Sequence, residues 1–278
     1  MKRAIFILLP LAILILAFAT SCRKDNPDDM SNMEHVRIFN SYETISNDIF
    51  KIFLNSVIAV NDSLYHPNDS TNLRFDATGI SFVLNSSDTN TWPKTLHIVF
   101  PGNNHYDGIL RSGEIIVELP TPALPVNSEF NITFNNFSIN NIVISGNKKI
   151  HVTDDDPLSF VDTSRIIAIS IAPSAEWSSS HLIEWALGSS THQNISDDLF
   201  IYNGNASYST LLDSETGLLN FSSNIIEALQ FANYCYWIGS GKAEIVPYNL
   251  PVRTITYLDS CFNQAVVSAD NKNFNIIF

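Results

Sequence analysis

The chain has 278 residues, of which 45% are hydrophobic and 15% charged, and its formal net charge is -13. That is enough apolar material for one large β domain or two smaller units. So acidic a chain is repelled by nucleic-acid phosphates and by anionic membrane surfaces, which argues against a nucleic-acid partner and against membrane binding by charge.

The first residues have the layout of an export signal. Met1-Lys2-Arg3 is a basic start and residues 4–18 are almost wholly apolar, a run shorter than the ~20 apolar residues a transmembrane helix needs. It ends in Ala19-Thr20-Ser21-Cys22, small residues directly before a cysteine. This resembles the lipobox of bacterial lipoproteins, with Ala19 where those signals usually have Leu, and it implies that Cys22 becomes the acylated N-terminus. The same small residues would also suit ordinary signal cleavage. Cysteine parity separates the two: acylating Cys22 leaves Cys235 and Cys261 as an even pair, whereas ordinary cleavage leaves an odd thiol. Processing at Cys22 also removes Lys2 and Arg3, so the mature chain would carry -15, and its contact with the membrane would come from the acyl anchor alone. The expected organisation is a signal peptide over 1–21, a polar tether over 22–33, a helix over 34–66 and a β domain over 67–278, with a possible division into two sub-units near 154–160. The acid-rich stretch from Arg23 to Asp29 resembles the surface-export signal of Bacteroidetes lipoproteins. The expected address is the outer membrane, with the domain facing either the surface or the periplasm.

Between residues 34 and 64 the apolar positions Tyr42, Ile45, Ile49, Phe53, Val57, Val60 and Leu64 fall three or four apart. Such spacing gathers them on one stripe of a helix, which should pack on the sheet. Its end is set by His66-Pro67, because the residue before a proline is pushed out of helical geometry. Asp62-Ser63-Leu64 at the helix end and Asp69-Ser70-Thr71 beyond it resemble the short O-glycosylation sequence of exported Bacteroidetes proteins.

From residue 80 onward the period becomes two. Glu129-Phe130-Asn131-Ile132-Thr133-Phe134 alternates polar and apolar side chains, as a half-buried strand must. Similar runs cover 80–84, 96–100, 113–119, 142–152 with Gly146 as a break, 165–171, 182–187, 199–202, 243–246, 253–257, 264–267 and 274–278. Turn signals separate them at Asp107-Gly108, Asn140-Asn141, residues 154–157 and Asn203-Gly204-Asn205. Residues 224–231 look like a short helical turn. With helical periods nearly absent, βαβ construction is not expected. The predicted fold is mainly β: antiparallel hairpins or a meander forming a curved sheet, a sandwich or a partly open barrel, with the N-terminal helix packed on it.

Several short motifs recur in a fixed order: Pro93-Lys94-Thr95; residues 107–117; residues 132–140; Trp177-Ser178-Ser179 and Trp185; residues 204–207; Cys235-Tyr236-Trp237 with Gly241; and Tyr257 with Cys261. Together they resemble a family of uncharacterised Bacteroidetes lipoproteins over most of the chain after Pro93. The resemblance implies an all-β lipoprotein with no established activity.

Cys235 and Cys261 stand in neighbouring strand regions of an exported chain, and a disulfide between them is expected, the alternative being two buried thiols. Closing that loop would contribute about 3.5 kcal/mol on the chain-entropy model. Gly239-Ser240-Gly241-Lys242 lacks the first glycine and the hydroxyl residue of a phosphate loop, and neither a Gly-x-Ser-x-Gly elbow nor a His-Glu-x-x-His helix occurs. Asp154-Asp155-Asp156 and Asp197-Asp198 read as solvated turns rather than a calcium site, so neither metal nor cofactor is expected. Among the four tryptophans, Trp177 in its serine-rich setting is the candidate sugar-stacking ring; core packing is the usual role of the others. The expected function is a non-enzymatic, lipid-anchored envelope protein that binds a glycan or another envelope ligand, or scaffolds. The alternatives are a glycan hydrolase using paired carboxylates and a carrier of an apolar ligand within the curved sheet.

Overall fold

The computed structural model describes residues 33–65, 80–104, 107–169, 175–191, 194–210 and 219–278. Cys22, the signal segment, the tether up to residue 32 and Asp69-Ser70-Thr71 lie outside them. Residues Glu34–Tyr65 form one helix, α1, which matches the helical period of the sequence. Among the described residues thirteen strands follow: β1 Ser81–Leu84, β2 Lys94–Asn104, β3 Leu110–Leu119, β4 Glu129–Ile139, β5 Ile142–Asp155, β6 Leu158–Ala168, β7 Ala175–Leu187, β8 Leu199–Thr210, β9 Phe221–Ala232, β10 Ser240–Pro247, β11 Arg253–Tyr257, β12 Gln264–Ala269 and β13 Lys272–Ile277. Each pairs antiparallel with the next, so the sheet order is the chain order from β1 to β13. The result is a single open, curved meander with β1 and β13 as its edges.

Period two accounts for the lining of this sheet. In β2, Leu96, Ile98 and Phe100 point inward. In β7 the inward set is Ala175, Trp177, Ser179, His181, Ile183 and Trp185, and in β11 it is Arg253, Ile255 and Tyr257. Within the turn signal at residues 154–157, Asp156 and Pro157 form the turn of the β5–β6 hairpin, across which Asp155 pairs with Leu158. Two expected interruptions are strand interior. Gly146 sits within β5 at φ 109°, its Cα against the Arg165 carbonyl of β6, where any Cβ would collide. Gly204 lies in a bulge of β8 at φ 147°, where a Cβ would strike the Ser180 carbonyl and the backbone of His181. In both places a glycine lets strands approach closely while the ladder continues. The expected helical turn at 224–231 is part of β9.

The helix is not laid on one face of the sheet. Every residue from 42 to 57 is buried, which means protein surrounds more than four consecutive turns. Its side chains meet strands from almost the whole meander: Arg111 of β3, Phe130 of β4, Lys148 of β5, Phe160 of β6, Trp177 of β7, Tyr202 of β8, Phe221 of β9, Tyr257 of β11 and the Ile277 carbonyl of β13. The sheet therefore curls around α1, whose 32 residues span about 48 Å. Of the apolar stripe read from sequence, Tyr42, Ile45, Ile49, Phe53, Val57 and Val60 are all buried, each contributing about 1.5–3 kcal/mol.

The opposite stripe is buried too, although it is polar. Asn40 accepts a hydrogen bond from the Tyr257 hydroxyl (3.0 Å), and Asn47 donates to that of Tyr202 (3.1 Å). Asp48 takes a two-pronged hydrogen bond from Arg111, Nη2 to Oδ1 at 2.6 Å and Nε to Oδ2 at 2.9 Å. Lys51 donates to the Cys235 carbonyl (2.7 Å), and Asn55 exchanges two amide hydrogen bonds with Asn233. Unpaired buried polar groups are costly, so these contacts fix the rotation and depth of α1 within the sheet as firmly as the apolar side does.

Glu43 belongs to the same stripe. Its carboxylate lies 3.2 Å from Nε2 of His181, and both side chains are at most 2% exposed. Burial pulls the imidazole down, but the facing Glu43 carboxylate outweighs it, and His181 is held above its ordinary value. A base whose pKa rises on folding stabilises the fold fully below its unfolded pKa of about 6.5, and that stabilisation fades as pH climbs through the folded value. The melting temperature of His181→Gln should accordingly fall below that of the unaltered protein by several degrees at pH 5.5, and the gap should narrow steadily toward pH 9. A gap independent of pH would mean that His181 is neutral throughout.

Candidate binding site at the disulfide

The loop after β9 and the loop after β11 approach one another where Cys235 and Cys261 are joined in a disulfide, with their Cα atoms 5.8 Å apart. The bridge expected from the cysteine count is therefore present. Beside it lies a pocket of 160 Å³ whose walls include Gln230, Tyr234, Trp237, Asp259 and Ser260. Tyr234 is 62% exposed, and Phe262, next in the chain to Cys261, is 64% exposed. The strand pattern predicts neither exposure, because both residues sit in loops where period two has lapsed.

Several contacts hold this rim in place from below. Lys51 of α1 reaches the Cys235 carbonyl from inside the sheet. Asn233, paired to Asn55, also donates to Asp198 Oδ2 at 2.8 Å, and Asp198 Oδ1 accepts from the Trp185 indole at 3.1 Å. The Ser260 amide donates to the Gly239 carbonyl, and the Gly239 amide to that of Gln230. Tyr236 packs edge-on to Trp237 with ring centroids 4.9 Å apart. Burial, reinforced by the nearby Asp48 carboxylate, pushes the Tyr236 hydroxyl well above its usual pKa, so it remains a neutral donor. A pocket anchored to helix and strand in this way presents its groups in fixed positions, which lowers the ordering cost of binding. Chemically it offers aromatic faces beside a carboxylate and an amide: apolar contact combined with hydrogen-bond acceptors and donors.

The other sequence candidates lie elsewhere. Trp177 is not a surface platform. It is 0% exposed and stacks on Tyr42 of α1 with centroids 5.4 Å apart. The serines at 178 and 180 that suggested a wet setting point to the opposite side of β7, as alternation requires. Asp154, near the end of β5, accepts from the backbone amides of Asp155 and Asp156. Asp198, in contrast, is 1% exposed and part of the scaffold just described rather than a solvated turn. Gly241 bends β10 where its register with β9 shifts, and Lys242 pairs with Glu227 on the surface. Two carboxylates do meet, Asp48 and Asp107, but a single guanidinium bridges them, Arg111 Nη2 lying 2.6 Å from each. The concave face that an apolar carrier would use is filled by α1. A separate apolar pocket of 320 Å³ lies between the end of α1 and β1, lined by Ala59, Val60, Leu64, Phe82 and Leu84. Among the described residues no group of three His, Cys, Asp or Glu side chains is placed to hold a metal ion, and no helix is long and apolar enough to cross a membrane.

No family model matches the chain, and neither a curated protein nor a solved structure matches it significantly.

Proposed function

We propose that this protein is a lipid-anchored binding module of the cell envelope, acylated at Cys22, which takes a glycan at the disulfide-framed pocket. The observation that carries the proposal is a pair of solvent-exposed rings, Tyr234 in the wall of a pocket of mixed polar and apolar lining and Phe262 next in the chain to its Cys261, the pocket being fixed by the Cys235–Cys261 bridge. Exposed aromatic rings on a rigid frame supply large contact area at low entropic cost. The pocket is smaller than the roughly 300–1,000 Å³ of drug-sized ligand sites, and suits one sugar unit of a longer chain lying across the rim. Asp259, Ser260 and Gln230 supply partners for its hydroxyls. The small residues before Cys22 and the even cysteine pair support the anchor; the acidic balance supports a neutral or weakly charged ligand.

The test is a glycan array probed with the full-length protein, with a lipid overlay alongside. A set of retained glycans is expected, with binding to them weakened tenfold or more in Tyr234→Ala and Phe262→Ala, a loss of about 1.4 kcal/mol. Both residues are exposed, so the substitutions leave the core intact. Binding that survives both changes, or no glycan retained at all, would overturn the reading. Retention on the lipid overlay alone would transfer the role to the apolar pocket beneath β1.

A further inference from the structure

We propose that Lys148 and Asp162, on the inner face of the β5–β6 hairpin, condense into an intramolecular amide bond. This modification site is independent of the glycan reading. In the β5–β6 register Lys148 faces Ser164 and Ile150 faces Asp162, so the two reacting side chains are diagonal neighbours pointing into the same core. Lys148 Nζ lies 2.5 Å from Asp162 Oδ2, the side chains being 0% and 2% exposed. Ser164 Oγ links the remaining atoms: it accepts from Nζ at 3.1 Å and donates to Asp162 Oδ1 at 3.1 Å. From α1, the carbonyl and hydroxyl of Ser46 accept from Nζ at 3.1 and 2.7 Å and hold the amine in position. The Glu43–His181 pair is the other ionisable pair beside them.

In water an ammonium and a carboxylate do not condense, because both are stabilised as ions and the products are hydrolysed. Here both side chains have been removed from water, which for Lys148 disfavours the charged amine. Burial lowers the Lys148 pKa in keeping with this, against the opposing pull of Asp162. A first proton crosses from Nζ to Oδ2. The nitrogen lone pair then attacks Cγ, and a second proton leaves the nitrogen through Ser164 Oγ to Oδ1. That proton passes on to Oδ2 as the tetrahedral carbon collapses, and Oδ2 departs with both protons as one water, leaving a C=O at Oδ1 and one hydrogen on the amide nitrogen. A C–N bond forms, a C–O bond breaks, and nothing is oxidised or reduced. Fixed proximity of this kind replaces an improbable encounter. Because Ser46 sits on α1, the amine is positioned only once the helix occupies the sheet, which confines the bond to the folded protein.

The experiment is peptide mapping of the full-length protein after reduction and denaturation, with exhaustive acetylation of amines in guanidinium beforehand. A branched peptide joining the segments around residues 148 and 162, lighter than their sum by one water, is the expected product, with Lys148 protected from acetylation. The branch should vanish in Lys148→Arg and Asp162→Ala and accumulate more slowly in Ser164→Ala. Full acetylation of Lys148, with both linear peptides recovered at unaltered mass, would overturn the proposal. That outcome is read from the unsubstituted protein, so a variant that misfolds cannot obscure it.

Discussion

Replacing Arg111 by methionine should destabilise the protein by about 3–5 kcal/mol, a large part of the 5–15 kcal/mol typical of a folded domain. Arg111 is 4% exposed, Asp48 is 2% exposed, and the guanidinium contacts both oxygens of Asp48 and both of Asp107. With the cation removed, the buried Asp48 carboxylate and the partly buried one of Asp107 are left with Lys51 as the nearby base, and Lys51 itself is pulled down to about 8 by burial. Urea denaturation measures the loss. Adding Asp48→Leu to Arg111→Met should recover much of it, because a well-packed apolar pair replaces a buried ion pair at little cost. If Arg111→Met alone unfolds within about 1 kcal/mol of the parent, water reaches these carboxylates and the polar stripe of α1 is not sealed.

Phe50→Ala should have a comparable effect by a different route. Phe50 is 0% exposed, and its ring meets those of Phe160, Phe200 and Phe231 edge-on at 5.2, 5.6 and 6.0 Å, with Phe53 at 6.4 Å. Truncation removes the hub of this cluster and leaves a cavity between helix and sheet, and Phe→Ala changes of that type cost about 3–5 kcal/mol. Phe262→Ala, at a ring 64% exposed, is the matched control and should leave the unfolding midpoint almost unmoved. Equal effects at the two positions would contradict the enclosed helix.

Much of this architecture is legible in the residue pattern. Strand after strand is marked by its alternation, the hairpin corners by Asp-Gly and Asn-Asn pairs, the disulfide by cysteine parity, and α1 by its three-and-four apolar spacing. The failures have local causes. In β9, inward-facing Ile225 and Leu229 are four apart rather than two because the strand's register with β10 shifts between them, and a bulge of that sort imitates a helical turn. Gly204 reads as a turn for the same reason. The polar stripe of α1 could not be told from a wet surface, since Glu43, Asn47, Lys51 and Asn55 look alike whether they face solvent or the complementary inward groups of a sheet. Those groups, Lys148, Asp162, Ser164 and His181, occupy strand positions where the pattern calls for apolar side chains. Such breaks in alternation were the available clue to the buried network. The exposed rings of the candidate site, Tyr234 and Phe262, lie in loops, which carry no period at all.

Every rung of the ladder joins segments close together in the chain, yet α1 is secured by residues as distant as Tyr257 and Ile277, 217 and 240 positions away. The helix precedes every described strand in the chain and is thus the last element to be shut in. Until the final strands arrive, its hydrogen-bonding groups have only solvent or a chaperone to satisfy them, so a shortened C-terminus would leave the centre of the molecule exposed rather than merely trim its rim.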